Sequence, residues 1–180
     1  MRPRGKVQTN LLNSPLLHNR IIMPRLLLFA PCQNVIIDRE NNTVSLISIL
    51  QKINYRPKTE LQGPTTTNIA VPMQWAVLAF WKRNAGEENK TFEQRLALLG
   101  DDDRVLLESV ATWKFIEDSH RVITRALGFP IGTRHLRLVV WVRESGTHEW
   151  HETSEYPIEV VAKMPNEPLN PPPKEFPLLS

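Results

Sequence analysis

Residues 148–152 have the sequence HEWHE and contain two of the five histidines of the chain. A zinc site of the HExxH type needs its two histidines four positions apart on one face of a helix. The histidines here are three positions apart, so on a strand they point to opposite faces unless a turn or bulge brings them together. We therefore interpret His148 and His151 as solvated residues of a hairpin and not as a metal pair.

Three consecutive carboxylates, Asp101 to Asp103, and the single cysteine, Cys32, are the other residues that could carry chemistry. A calcium site needs several converging oxygens, whereas adjacent carboxylates in one turn diverge, so we interpret them as a solvated turn. Cys32 has no neighbouring motif residue, which favours an inert thiol. The sequence contains no nucleophile elbow, P-loop or dinucleotide fingerprint. We predict no catalytic residue, no metal ligand and no cofactor.

Cations and aromatic side chains alternate along the strand predicted after Gly132. Its outward face carries a basic–aromatic stripe, with Val139 among its members, while Leu136, Leu138, Val140 and Val142 face inward. Such a stripe can stack bases and contact phosphates, but it is also the pattern of an ordinary exposed face with extended arginine stems. The candidate interaction surface comprises this stripe and two tryptophans of an earlier strand: His135, Arg137, Trp141, Arg143, Trp75 and Trp81.

The net charge of +3 for 180 residues belongs to one end of the chain. Residues 1–22 contain four basic residues and no acid, so the rest of the chain carries one net negative charge. A protein that binds nucleic acid through its body needs a basic surface there. The charge distribution therefore gives little support to a nucleic-acid-binding body.

Apolar and polar residues alternate in short runs separated by turn residues, with about eight such runs at intervals of roughly 8–14 residues. This pattern predicts an all-β, antiparallel β-sandwich of about eight strands. Residues 104–115 also fit a helix, because Leu106, Val110 and Trp113 recur at helical spacing after a capping Asp103. The period-two count and the strand-favouring residues make a strand the preferred interpretation.

A β-hairpin is predicted between Leu26 and Ile53, with its turn at Asp38 to Asn42. Residues 44–53 and 73–82 are apolar on both faces, although a two-layer sandwich buries only one face of each sheet. A third layer is therefore expected. The loop 54–72, the C-terminal tail and another subunit remain alternatives for it.

The sequence divides into three parts. Residues 1–22 lack hydrophobic periodicity and are predicted to be a disordered basic extension, with Met23 as a plausible natural start. Residues 23–163 form the sandwich domain. Residues 164–180 are rich in proline and are predicted to be a disordered or polyproline tail.

The N-terminal pattern of Cys32, Asp38 and the run SLISIL at 45–50 resembles the start of a family of small uncharacterised bacterial proteins. The strand 132–142 and the closing strand 156–161 are similar to the end of that family. The resemblance covers about residues 24–162 and implies an immunoglobulin-like or C2-like sandwich in a bacterial protein. The motifs concern packing and turns, and the family supplies no catalytic residues to transfer.

These features predict a non-catalytic protein-interaction module with a homodimeric or other protein partner. A basic–aromatic nucleic-acid-binding module is the alternative, and a hydrolase with an unrecognised site comes third. The absence of cysteine pairs suits a reducing compartment, which favours the cytoplasm. No apolar run approaches the roughly 20 residues of a membrane-spanning helix, so no membrane span is expected.

Overall fold

The computed structural model describes residues 23–56, 70–131, 134–164, 166 and 168. Within these residues the secondary structure consists of strands and turns, with no helix. The strands, in chain order, are β1 Arg25–Ile37, β2 Val44–Ile49, β3 Lys52–Tyr55, β4 Ala70–Lys82, β5 Thr91–Leu99, β6 Val105–Lys114, β7 Ser119–Pro130, β8 His135–Glu144 and β9 His151–Ala162.

The strands form two sheets that pack on each other. One sheet has four strands in the order β2-β1-β4-β7, and the other has five in the order β3-β9-β8-β5-β6. All neighbouring strands are antiparallel except β3 and β9, which are parallel. The predicted all-β sandwich is confirmed, and one parallel pair is added to the antiparallel arrangement.

The core lies between the sheets and is made by alternate residues of the central strands. In β8 the predicted inward set is confirmed, because Leu136, Leu138, Val140 and Val142 are all buried. From β4 the core receives Trp75, Val77, Ala79 and Trp81. Strand periodicity places these residues on one face, and burial of that much apolar surface is the main stabilising contribution to such a fold.

Residues 104–115 contain strand β6, which pairs with β5 from Val105 to Lys114. The helical alternative is therefore wrong for this segment. Trp113 packs between Phe92 and Phe115 with ring centroids 5.2 and 4.9 Å away. The strand is favoured because it buries Trp113 against β5. Leu107 and Val110 lie on the same edge strand and stay exposed.

The single predicted strand at 44–53 is in fact two strands in different sheets. Ser48 has a left-handed φ of 53°, and β2 ends at Ile49. The Leu50 amide then donates to the Pro31 carbonyl at 2.9 Å, and its side chain is buried in the main core. The chain thus passes to the second sheet, where β3 pairs with β9.

The predicted extension 1–22 lies outside the described residues, as does the predicted tail 164–180 apart from residues 164, 166 and 168. Most of the predicted loop 54–72 also lies outside them. In the part of the chain that the structure describes, no helix is long and apolar enough to cross a membrane.

Candidate functional site

The β1–β2 hairpin leaves the body of its sheet and forms a separate element. Strand β1 pairs with β4 as far as Cys32, which lies opposite Ala76. Beyond that point β1 pairs only with β2, from Asn34 to Ile37. The left-handed Ser48 lies on β2 opposite this departure, and such a residue bends a strand. We name residues 33–48 the hairpin arm.

The lower side of the hairpin arm packs on the outer face of its own sheet. Val35 and Leu46 are opposite each other in the arm. Val35 is 4 % exposed and belongs to a second apolar cluster with Cys32, Ala76 and Leu78, on which Leu46 also packs. The arm therefore forms a third layer over this part of β4, whereas the predicted alternatives for that layer were the loop 54–72, the C-terminal tail and another subunit.

The tip of the arm is held against β7 by the hydrogen bonds between Arg121 and Asn42, which we call the latch. The Arg121 guanidinium donates to the side-chain and backbone oxygens of Asn42, both at 2.8 Å. The same guanidinium lies 5.3 Å from the centroid of the Phe80 ring. The turn before Asn42 is organised by Asp38, whose carboxylate accepts a hydrogen bond from the Glu40 amide at 2.9 Å. Hydrogen bonds to this carboxylate lower the pKa of Asp38.

The upper side of the arm exposes large apolar side chains to solvent. Ile36 is 49 % exposed and Ile47 is 42 % exposed, and the pairing of the arm puts both on the side opposite Val35. Ile49, at the end of β2, is also exposed, and so is Ile37, which lies near the turn on the same side as Val35. Clustered exposed apolar residues of this kind are typical of protein-binding surfaces.

The strands of the arm carry no charged residue. Natural proteins commonly protect open sheet edges with charges, prolines or bulges. The other three edge strands of the described residues follow that rule, since β3 has Lys52, β6 has Glu108 and β7 has Arg125. Strand β2, with the sequence VSLISI, has the bend at Ser48 as its protection but neither charge nor proline.

The basic stripe predicted on β8 is present, but its arginines are bound to carboxylates. Arg137 pairs with Asp103 and, at 2.9 Å, with Glu155. Arg143 pairs with Glu93 at 2.6 Å. These contacts raise the pKa of Arg137 and lower the pKa of Glu93. The pairs neutralise the stripe, so it presents little free positive charge to a phosphate backbone.

Arginine guanidinium groups also lie over two tryptophan rings near this face. The guanidinium of Arg95 lies 5.0 Å from the Trp141 ring, and that of Arg143 lies 4.2 Å from the Trp150 ring. Trp141 is half-buried and packs on a small cluster that includes Val139, which is 1 % exposed. His135 is exposed at the start of the strand. Val139 is therefore buried although it points away from the main core, whereas simple alternation along β8 predicts an exposed side chain there.

Trp75 and Trp81 belong to the core and not to an interaction surface, so their place in the predicted surface is wrong. They are 3 % and 0 % exposed. The Trp75 indole donates to the Gly128 carbonyl at 3.0 Å, and the Trp81 indole donates to the buried Gln94 amide oxygen at 2.8 Å. The physical reason is that their face of β4 meets the second sheet, while the arm covers the other face.

The remaining candidates for chemistry do not come together. Among the described residues no group of three or more histidine, cysteine, aspartate or glutamate side chains could hold a metal ion. His148 lies in the turn before β9 and His151 begins that strand. Asp103 is engaged by Arg137. Cys32 is fully buried beneath the arm, and this burial raises the pKa of its thiol.

Glu87 is a buried carboxylate that the sequence did not single out. Its side chain has no exposed surface, and it accepts a hydrogen bond from the Asn84 amide at 2.7 Å. Its other oxygen has no partner among the described residues. Burial raises the pKa of Glu87. It closes the turn between β4 and β5, and the clefts described next are lined by other residues.

Two clefts on the described surface are open to solvent and have polar residues in their lining. The larger, of about 560 Å³, contains Glu159, which is paired with Lys52 at 3.0 Å and Arg134 at 3.8 Å. The Lys52 pair lowers the pKa of Glu159, so this carboxylate is a poor proton donor near neutral pH. The smaller, of about 300 Å³, lies beside the arm and holds amides and Arg125. Among the described residues that line them, neither cleft has a serine, threonine, cysteine or histidine side chain.

The sequence pointed to the β8 stripe and missed the arm. A signal was present, because residues 33–37 and 44–49 are apolar on both faces and free of charge.

No protein-family model matches the sequence, and no curated protein matches it either.

Proposed function

We propose that this protein is a non-catalytic protein-interaction module that binds its partner through the hairpin arm. The observation that carries the proposal is the uncharged edge of β2, which pairs with no further strand among the described residues, beside the exposed Ile36 and Ile47. A partner strand can add to such an edge through backbone hydrogen bonds, while apolar side chains alongside supply the burial.

The shape of the arm supports this role. Its lower side and its tip are held by the apolar cluster around Leu78 and by the Arg121–Asn42 latch. A binding element that is already ordered loses less conformational entropy when the partner arrives. The upper side can therefore act as a preformed surface.

The nucleic-acid alternative receives less support. It depends on the β8 stripe, and there Arg137 and Arg143 are already paired with carboxylates. Each phosphate contact would have to displace one of these pairs. The hydrolase alternative would need a cleft with converging acid and base groups, and the two clefts described above favour no such reaction.

The predictions of the type of sandwich, the bacterial origin and the cellular location rest on the sequence. The resemblance around Cys32 and residues 45–50 supports an immunoglobulin-like or C2-like variant of the sandwich and a bacterial origin. The lone cysteine supports a cytoplasmic location.

Photo-crosslinking tests the proposed surface. The full chain carries a benzophenone amino acid in place of Ile47, and a matched protein carries it in place of Val110, which is 55 % exposed on the edge strand β6. We expect irradiation of cells that produce the protein to give a defined crosslinked product from position 47 and none of comparable yield from position 110. Equal yields at both positions, or no product at 47, would rule out the arm as the binding surface.

A further inference from the structure

We infer that the larger cleft is a binding site for a small amphipathic anion, a molecule with one anionic headgroup and an apolar or aromatic body. The cleft is lined by β3, by the last residues of β9 and by the segments next to the start of β8 and the end of β7. The hairpin arm belongs to the other sheet. The inference therefore goes beyond the proposed protein-binding surface and does not depend on it.

Backbone hydrogen bonds hold the frame of the cleft. The Val160 amide donates to the Arg134 carbonyl at 2.8 Å, and the Lys163 amide donates to the Tyr55 carbonyl at 2.8 Å. The segment before β8 and the end of β3 are thereby fixed to β9. A site whose walls are already fixed loses little conformational entropy when a ligand binds. The cleft volume of about 560 Å³ is typical of small-molecule sites.

The polar part of the lining has an excess of positive charge. Lys52 and Arg134 lie 3.0 and 3.8 Å from a single carboxylate, that of Glu159. The hydrogen bond from Lys52 lowers the pKa of Glu159 most, and the charges of Arg134 and His135 act in the same direction. One negative charge thus faces two permanent positive charges and an imidazole. A cleft with such an excess attracts anions.

Arg134 is the residue that we assign to the headgroup. Its side chain is 72 % exposed, and its contact with Glu159 at 3.8 Å is longer than a hydrogen bond. A guanidinium has five N–H donors in a fixed plane, and a carboxylate, phosphate or sulfonate can accept two of them side by side. Lys52, in contrast, is already hydrogen-bonded to Glu159.

The rest of the lining is apolar apart from the Tyr55 hydroxyl. It consists of Tyr55, Ile131 and residues 160–162 of β9. Small-molecule sites commonly combine an apolar surface with a few polar groups that fix the orientation of the ligand. An inorganic anion would leave this surface uncovered, and a neutral apolar molecule would leave the positive charge without a partner. Both features together select an amphipathic anion.

Fluorescence titration of the full chain with anilinonaphthalene sulfonate tests the site. Phenylnaphthylamine, which has the same rings without the sulfonate, is the matched neutral molecule. We expect the anion to bind at least about tenfold more tightly, because hydrogen bonds between charged groups are the stronger ones. Arg134→Gln should remove this difference, whereas Arg25→Gln, at an exposed position on β1 of the other sheet, should keep it. Equal binding of the two molecules to the wild type, or binding of the anion that Arg134→Gln leaves unchanged, would overturn the inference.

Glu159→Gln distinguishes a ligand site from ion pairs that only join the strands. The substitution removes the carboxylate that competes with the ligand for Lys52 and Arg134. The affinity for anilinonaphthalene sulfonate should therefore rise at least about threefold at low salt. Loss of exposed ion pairs has little effect on stability, so the thermal midpoint should stay near that of the wild type. An unchanged or lower affinity in the folded variant would contradict the inference. If Glu159→Gln does not fold, the exposed Arg134→Gln decides the question.

Discussion

Replacement of Arg121 by alanine is expected to loosen the hairpin arm without unfolding the sandwich. The substitution removes two hydrogen bonds to Asn42, both 2.8 Å long, and the contact with Phe80. The arm would still be joined to the sheet through β1, and its lower side would still pack on Leu78. Opening of the arm therefore becomes easier, while the main core is unchanged.

The size of the effect follows from these contacts. A hydrogen bond to a charged group contributes about 1.5–3 kcal/mol, and partial exposure to solvent reduces this to about 1 kcal/mol for each bond. The guanidinium–ring contact adds about 0.5–1 kcal/mol at an exposed site. Loss of roughly 1–3 kcal/mol changes the opening equilibrium about five- to hundredfold, because about 1.4 kcal/mol corresponds to a factor of ten.

Cys32 provides the assay. It is the only cysteine of the chain, it is 0 % exposed, and it lies in the cluster beneath the arm. Because burial raises the pKa of its thiol, the closed protein reacts slowly with a thiol reagent. When opening and closing are fast, the labelling rate follows the fraction of open molecules. The labelling rate of Arg121→Ala should therefore exceed that of the wild type by the factor given above.

Arg125→Ala is the matched control for this experiment. Arg125 is exposed on the same strand, and its side chain makes no ion pair or hydrogen bond with the described residues. Its labelling rate should stay within about twofold of the wild type. If Arg121→Ala and the wild type label equally fast, the latch does not hold the arm and our interpretation of it is wrong.

Three further predictions concern buried polar and apolar positions. Burial raises the pKa of Glu87, so the folded chain holds a proton that the unfolded chain releases as pH rises. The free energy of unfolding, measured in urea, should therefore fall as pH rises above the pKa of the unfolded chain, and Glu87→Gln should remove this pH dependence. The same pH dependence in the wild type and in Glu87→Gln would contradict the reasoning. Leu138→Asp and Val139→Asp should both abolish cooperative thermal unfolding, because both side chains are 1 % exposed and an unpaired buried carboxylate costs several kcal/mol; a normal transition for Val139→Asp would show that its cover is loose. Gln94→Leu should lower the free energy of unfolding in urea by about 1–3 kcal/mol, since the Trp81 indole loses its acceptor; an unchanged midpoint would show that another acceptor replaces it.

The amino-acid sequence by itself determined most of the strands, because side-chain alternation and turn residues are local properties. The inward set of β8 and the turns at 38–43 and 100–104 were predictable in this way. The number of strands, nine among the described residues, was not predictable in this way, since the left-handed conformation of Ser48 near the end of β2 has no clear local signal. The parallel pairing of β3 with β9 joins segments far apart in the chain.

The candidate site depended more on tertiary structure. Local pattern placed Arg137 and Arg143 on an exposed face, but only the folded sheets bring Glu155 and Glu93 from neighbouring strands to neutralise them. A free arginine and a paired one look the same in a sequence. The difference arises from cross-strand register, which depends on the whole sheet.

The two apolar faces of β4 illustrate the same division. The sequence by itself determined that Trp75 and Trp81 alternate with Leu78, so both faces needed cover. Only the tertiary structure decided which layer lies over each face. The second sheet covers the tryptophans, and the hairpin arm bends back over Leu78 because Val35 and Leu46 can be buried there. The hydrophobic effect is non-directional, so an apolar pattern predicts that a face will be buried. Which other segment buries that face depends on the packing of the whole chain.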